Sequence, residues 1–366
     1  MNMPLEGMNM PLEEEILCFL QRPDKGKFET VALRLYEQQR NHNSVYARYC
    51  ESLGPSEPIH SWKRIPAVPQ QAFKYSELRS FPASETAAEF RTSGTTGEGF
   101  GRHFLGSLKL YQTAVQSGWD YFRLPRNPFA LLMQHPEKAQ FSSLSRMGSF
   151  LCDGRRDSFF VSNEGAVEVD RLRTFLSSRT EPVTLFGTAL AFLNLLEEAS
   201  DLPLPPGSIL METGGFKGLD REVVQADLYI RLSKCFRTEV DCIWNEYGMT
   251  ELSSQFYSRG LGQPHLAPPW LRFLVIDPKT NREASSGEIG LLRVFDLANF
   301  WSVLAVQTQD LAVAKGEEGF LLLGRDPAAL PRGCSRAMDA LIRRETLIKW
   351  ENKGINMALN AVAESH

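Results

Sequence analysis

The run Arg91-Thr92-Ser93-Gly94-Thr95-Thr96-Gly97-Glu98-Gly99-Phe100-Gly101-Arg102 concentrates glycines and hydroxyl side chains in one short stretch. Glycines admit positive φ and close backbone approach, so successive N–H groups can converge on one concavity, and Ser and Thr hydroxyls add neutral donors. Such a surface suits a polyphosphate. The Walker spacing GxxxxGK[ST] is absent, which excludes a conventional P-loop. Taken by itself, the run reads equally well as a surface turn.

A second group of candidates is Trp244-Asn245-Glu246-Tyr247-Gly248-Met249-Thr250-Glu251, which comes after the apolar run 240–243. That order places it at the carboxyl end of a strand, where α/β proteins hold ligands. Tyr247 has the flat ring to lie against an adenine face, Thr250 a hydroxyl for a phosphate, and Glu251 the hard oxygens that Mg²⁺ favours. A strand, a turn at Gly248 and a capping Thr250 account for the same residues without chemistry. Further on, Thr308-Gln309-Asp310 offers a carboxylate able to accept two hydroxyl hydrogen bonds at once, or simply an aspartate at a strand end.

Positioning such groups requires a frame. Apolar residues recur at helical spacing from Glu13 to about Tyr49, including Ile16, Leu17, Leu20, Val31, Leu35 and Tyr36, and predict two or three helices. Two prolines in 65–69 force an extended approach to the next element. Short apolar runs at 129–133, 184–187, 208–211 and 240–244 then alternate with helical patterns at 170–176, 190–198 and 221–236, which predicts α/β architecture with a largely parallel sheet. Beyond Pro269 the segments 271–276, 289–295 and 303–307 predict a β-rich unit that closes the site from one side, and 334–366 reads as helical. The division that results is a helical segment over 1–60, a core domain over 61–323 and a short C-terminal segment over 324–366.

Composition narrows the function classes. The 366 residues are 43% hydrophobic and 23% charged, with a formal charge of −4, so no global basic surface invites nucleic acid. No apolar run approaches the roughly 20 residues of a membrane span, and the start lacks the pattern of a secretory signal, so the expected location is cytoplasmic. The six cysteines are scattered without CxxC or zinc-site spacing, which predicts reduced thiols and no metal cluster. The duplicated start MNMPLEGMNMPLE is set aside from the functional argument.

The order SGTTG, then YGMTE, then TQD resembles the motif order of the adenylate-forming superfamily of acyl-CoA synthetases, peptide-synthetase adenylation domains and luciferases. The segment Met211-Glu212-Thr213-Gly214-Gly215-Phe216-Lys217-Gly218, with 65–69, Phe73-Lys74 and 142–147, is similar to the acyl-protein synthetases of bacterial luminescence fatty-acid reductase systems in particular. The resemblance spans roughly residues 60 to 335. It implies the large N-terminal domain of an adenylate-forming enzyme, with mixed parallel sheets, a β-rich closing unit and a truncated C-terminal part. It also implies activation of a fatty acid by ATP and Mg²⁺ to an acyl-adenylate, with subsequent transfer to an enzyme cysteine and then to an acyl reductase or acyl-carrier partner.

Carried over residue by residue, the resemblance assigns Ser93, Gly94, Thr95, Thr96 and Gly97 to the pyrophosphate end of ATP, Gly214 and Gly215 to the adenine edge, and Tyr247 to the adenine, with Gly248, Met249 and Thr250 beside it. Glu251 falls to the metal, Asp310 to the ribose hydroxyls, and Arg325, within Gly324-Arg325-Asp326, to a hinge remnant. Two departures stand out: Gln309 replaces the superfamily glycine, and the stretch after Asp310 is shorter than the usual C-terminal domain of roughly 100 residues with its catalytic lysine. Lys217 is the substitute ammonium, ahead of Lys349 and Lys353. His103 and His135 are read as polar packing residues. A coenzyme-A ligase of the phenylacetate type and a catalytically silent nucleotide-binding partner of a reductase remain the alternative readings.

The implied acyl acceptor is Cys334, in Pro331-Arg332-Gly333-Cys334-Ser335-Arg336: proline and glycine favour an irregular segment, and two arginines favour the thiolate. Cys18 and Cys235 in helical patterns and Cys242 in a strand suit packing instead. The expected outcome is that Cys334→Ser retains acid-dependent ATP–pyrophosphate exchange yet loses hydroxylamine-sensitive acyl label after incubation with ATP and radiolabelled fatty acid. An unchanged label would move the acceptor to another cysteine.

Overall fold

The computed structural model describes residues 10–53, 58–92, 99–214 and 225–325. Three helices lead: α1 (Leu12–Gln21), α2 (Phe28–His42) and α3 (Ser44–Ser52). The acidic first turn of α1, Glu13 to Glu15, complements the helix dipole, while Ile16, Leu17, Phe19 and Leu20 are buried. Asn43 caps α3, accepting the Tyr46 N–H at 3.0 Å. The extended 65–69 stretch supplies β1 (Val68–Pro69). After it come α4 (Ala72–Tyr75), the antiparallel hairpin β2 (Ala88–Arg91) and β3 (Arg102–Leu105), and α5 (Lys109–Tyr121).

Four parallel strands form the α/β half: β4 (Phe129–Leu132), β5 (Thr184–Thr188), β6 (Ile209–Thr213) and β7 (Ile243–Tyr247). Helices α6 (Ser143–Leu151) and α7 (Val169–Ser177) lie between β4 and β5 in the chain, α8 (Ala189–Glu198) comes after β5, and α9 (Gln225–Phe236) precedes β7. Alternation along each strand decides the layers. Ala130, Leu132, Leu185, Leu210 and Ile243 pack with α7, α8 and α9, while Phe129, Leu131, Phe186 and Met211 pack with α5 and α6. One expectation changes: 240–242 is a 3-10 turn and the strand starts at Ile243. Asp241 is exposed there, and burial begins only where Ile243 pairs with Leu210.

Beyond β7 the sheet turns antiparallel through β8 (Phe256–Arg259), β9 (His265–Leu266), β10 (Leu271–Asp277), β11 (Arg282–Glu283), β12 (Ile289–Asp296), β13 (Ala305–Lys315) and β14 (Gly319–Arg325). All described strands but the β2–β3 hairpin join one mixed twelve-stranded sheet, ordered β11-β10-β12-β13-β14-β9-β8-β7-β6-β5-β4, with β1 on β13. The α/β class and the β-rich closing unit are therefore both present. Helices α1 to α3 share a core with β10, β12 and β13, for Leu20, Leu35 and Tyr46 pack in one cluster with Leu271, Phe295 and Val306. Among the described residues no helix is long and apolar enough to cross a membrane.

A buried glutamine joins these parts. Gln39 of α2 is fully buried and donates to the carbonyls of Asn299 (2.8 Å) and Phe300 (3.2 Å), while its Oε1 accepts the Leu304 N–H at 2.7 Å. Replacing it with leucine orphans buried backbone groups on the 299–304 loop, each costing about 1–3 kcal/mol. Gln39→Leu is expected to lower unfolding free energy by about 3 kcal/mol, measured by urea titration. A loss within about 0.5 kcal/mol would show that the loop finds other partners.

Candidate active site

The second motif crosses from strand to turn at the carboxyl end of β7, beside the end of β6. Tyr247, the last residue of β7, is 8% exposed and packs edge-on against Phe320 at 5.7 Å, and its hydroxyl donates to Asp310 Oδ2 at 2.7 Å. Burial first, and then the neighbouring Asp310 carboxylate, hold its phenol protonated far above neutrality. This bond brings together the second and third motifs. Asp310 lies inside β13, not at a strand end, because β13 runs on to Lys315 in register with β14. Its Oδ1 accepts no hydrogen bond from the described residues and so fits a sugar hydroxyl.

Gln309, the departure from the superfamily glycine, has a partner of its own. Arg325 Nη2 donates to Gln309 Oε1 at 2.6 Å, and Arg325 stands opposite Asp310 in the β13–β14 register. Thr308 is buried and ties β13 to β12 through its hydroxyl on the Leu292 carbonyl at 2.7 Å.

The turn after β7 is pinned from three sides. At Gly248 a Cβ would overlap Glu246 Oε1, so no larger residue fits there without displacing that carboxyl. His103 of β3 is 1% exposed and bonds the Thr250 carbonyl through Nδ1 at 2.8 Å and the Ser302 hydroxyl through Nε2 at 2.9 Å. Burial lowers its pKa to about 4, so the ring is neutral, with Nδ1–H donating and Nε2 accepting. Asp296 is fully buried and accepts from the N–H groups of Ser253, Ser254 and Ala298 and from the Ser254 hydroxyl at 2.7–2.9 Å. Asn299 Nδ2 adds a bond to the Glu251 carbonyl at 2.8 Å. Glu251 itself is 3% exposed, and its Oε1 accepts from Gln70 Nε2 at 3.0 Å. The hard carboxylate oxygens of Glu251, on a braced turn, fit a magnesium ligand by donor type.

Met249 packs against the large core cluster, and Gly214 lies just past β6, where a Cβ would meet nothing within 4 Å. The residues Ser93 to Gly97, Gly215, Lys217, Asp326, Cys334, Lys349 and Lys353 lie outside the described residues. What is described of the first motif are its two arms: β2 and β3 pair Arg91 with Arg102, and Thr92 accepts the Gly101 N–H on its hydroxyl at 2.7 Å. The hairpin thus holds both ends of 93–98 on the strand pair from which His103 grips Thr250. His135 is half-buried in a loop, packs edge-on against Phe159 at 4.9 Å and takes no part in this grip. The cysteine argument needs a correction: Cys18 is exposed on α1, and Cys242 sits half-buried in the 3-10 turn with Arg259 Nη2 at 3.5 Å, while Cys50, Cys152 and Cys235 are buried. The helical pattern of α1 turns Cys18 outward, although Leu17 and Phe19 on either side are buried.

Two buried carboxyls lie on neighbouring strands. Glu212 of β6, fully buried, pairs with Asn245 Nδ2 and with Tyr229 of α9, and His265 bonds the other side of Asn245 at 2.5 Å. Burial raises its pKa to about 7. Glu246 of β7, on the opposite face, accepts from the Thr213 hydroxyl and is likewise raised by burial to about 7. Reading residue types one at a time missed Glu246, Gln70, Asp296, Asn299 and Gln39: Asp296 and Asn299 are polar residues among apolar ones, while Gln39, Gln70 and Glu246 have polar neighbours that hide them.

No family model matches the chain. It is 22% identical over 335 residues to the long-chain-fatty-acid–luciferin-component ligase of Aliivibrio fischeri, covering 83% of this chain and 85% of that one. It is 23% identical over 310 residues to the protein of the same name from Vibrio harveyi, covering 78% of each. Among solved structures, 2-hydroxyisobutyryl-CoA ligase in its postadenylation state with an acyl-AMP superposes with a TM-score of 0.59 at 16% identity, over 84% of this chain and 70% of that one. An open conformation of that ligase gives 0.58 at 16% identity, over 89% and 80%. The chain is a relative of the luciferin-component ligases with the adenylate-forming fold. Its mixed sheet is the one those fold relatives share.

The raised Glu212 carries a pH signature. The unfolded chain loses this proton near the ordinary value of 4.5, the folded chain only near 7. Between those values the folded state binds more protons, so stability falls as pH rises through the window and levels off above it. Glu212→Gln is expected to shallow the decline of melting temperature between pH 5 and 7.5, with Glu246 leaving a residual slope of the same sign. An identical slope in the variant would show that Glu212 ionises normally in the folded chain.

Proposed function

We propose that the chain activates a carboxylic acid, of fatty-acid type, by joining it to AMP, and then passes the acyl group to Cys334 and on to an acyl reductase or acyl-carrier partner. The observation that carries the first step is the Tyr247–Asp310 bond beside the braced turn bearing Glu251, at the carboxyl ends of β6 and β7. The long-chain-fatty-acid–luciferin-component ligases at 22% and 23% identity support the acid class, and the luciferin component in their name supports an acyl-accepting partner.

In the reaction, a carboxylate oxygen attacks the α-phosphorus, the bond to the bridging oxygen breaks, and pyrophosphate leaves with that electron pair. Bound Mg²⁺ would neutralise charge accumulating on the leaving group, with Glu251 the residue to hold it. Ser93 to Gly97 would cradle the β- and γ-phosphates, and Asp310 would accept the ribose hydroxyls. The Tyr247 phenol fixes the orientation of Asp310, so one carboxylate oxygen stays directed at the ligand. His103 ties β3 to the Thr250 carbonyl, so that strand and the turn keep one spacing, and reactions of this kind lose rate steeply when reacting groups shift by an ångström. Lys217 would supply an ammonium beside the phosphates. Thioester formation is then attack of the Cys334 thiolate on the acyl carbon, expelling AMP.

Exchange of labelled pyrophosphate into ATP, dependent on Mg²⁺ and a fatty acid, is the test. Glu251→Gln keeps an acceptor for Gln70, and is expected to lower exchange by about 100-fold or more while leaving the melting temperature within a few degrees. Absence of exchange across a broad acid panel would favour a silent nucleotide-binding module. Near-normal exchange in the variant would remove Glu251 from the metal.

A further inference from the structure

The carboxyl of Glu246 has no part in the attack on ATP, and its surroundings are unusual for a site that takes a plain alkyl acid. Glu246 pairs across the sheet with Thr213 on one side and with Tyr257 on the other, so all three project from one face of β6, β7 and β8. It is 4% exposed and lies directly under the turn of the second motif, with its Oε1 filling the place where a Cβ on Gly248 would stand and the Gln255 side chain 3.5 Å from the same point. Among the described residues only Thr213 bonds it, through Oε2.

Two polar atoms near it lack partners. The Tyr257 hydroxyl, 1% exposed, and Gln255 Oε1, 5% exposed, make no hydrogen bond among the described residues. Buried polar groups in folded proteins are nearly always satisfied, so these two atoms call for a partner that the described residues do not supply. Met211, Met133 and Trp119 form the apolar wall on the same side, with the Tyr111 ring close enough for its phenol to feel the Glu246 charge. The Gln255 amide oxygen only accepts, and the Glu246 carboxylate accepts when ionised, so a ligand that completes the bonding brings donors.

We propose that Glu246, with Gln255 and Tyr257, recognises a hydroxyl or amino group carried by the acid close to its carboxylate, making the preferred substrate a hydroxylated or aminated acyl chain. This rests on the acid-activation reading of the same site. An unsubstituted chain would leave Gln255 Oε1 and the Tyr257 hydroxyl unpaired and Glu246 with Thr213 alone, and sites built to bond a substrate hydroxyl reject analogues that lack it far more strongly than apolar pockets sort by size.

The test is pyrophosphate exchange with matched acids of one chain length, unsubstituted, 2-hydroxy, 3-hydroxy and 3-amino, on wild type, Glu246→Gln and Glu246→Leu. Wild type is expected to prefer one substituted acid by at least about 100-fold in kcat/KM. Glu246→Leu should erase or invert that preference, while Glu246→Gln should keep a preference for hydroxyl and lose one for ammonium. The ratio between two acids in one variant is insensitive to partial loss of fold, and Thr213→Val gives a second route to the same weakening. Equal use of substituted and unsubstituted acids by wild type, or a preference unchanged in Glu246→Leu, would overturn the assignment and leave acid activation standing. No exchange with any acid would overturn both.

Discussion

The fully buried carboxylate of Asp296 is the interaction on which the site depends. A charge placed in the interior is costly, and here four donors from the 253–254 and 298 backbone and the Ser254 hydroxyl meet it. Burial still pushes its pKa upward, as expected when desolvation and hydrogen bonding oppose each other. The result is a segment, 251–254, whose backbone cannot drift relative to the end of β12. Asn299 and Ser302 extend the same device to the Glu251 carbonyl and to His103.

That anchoring explains why the β-rich half sits where it does. The parallel strands β4 to β7 supply the floor and the exits of the ligand-bearing turns, but nothing in them fixes the turn beyond β7. The antiparallel strands do so, from behind through Asp296 and from the side through Asp310 on β13. Gln39 of α2 then holds the 299–304 loop, so a helix near the N-terminus stabilises a loop that stabilises the turn. Polar contacts of such long sequence separation are cooperative, and loss of one member leaves the others unsatisfied.

The two faces of the β6–β7 pair carry different work. On one, Glu212, Asn245, His265 and Tyr229 form a polar chain between sheet and α9; His265 is held neutral by burial, with its pKa lowered to about 4. On the other, Glu246 shares its face with Tyr257 and lies beneath Gly248. Register makes this separation obligatory: successive residues of a strand point to opposite sides, so Glu212 and Thr213, like Asn245 and Glu246, cannot serve the same face. The glycine at 248 has the same geometric cause, since the Glu246 carboxyl occupies the space of a Cβ.

Sequence alone determined the alternation that makes the α/β half, the β-rich unit after Pro269, and the three motifs, because periodicity and glycine-hydroxyl composition are local properties. It also carried the resemblance to the adenylate-forming superfamily, through SGTTG and YGMTE, and to acyl-protein synthetases, through METGG. What it could not decide were the boundaries at Val240 to Ile243, where a polar, exposed Asp241 outweighs strand propensity, and the placement of Cys18 and Cys242, which depends on which face meets the core. Tertiary structure alone decided that Asp310 sits inside a strand against Tyr247, that Gln309 pairs with Arg325, that His103, Asp296 and Asn299 converge on one turn, and that Gln39 holds the loop behind it. Each of those bonds joins residues far apart in the chain, so no local pattern encodes it; only the strand order and register that bring β3, β7, β12 and β13 together create the contact.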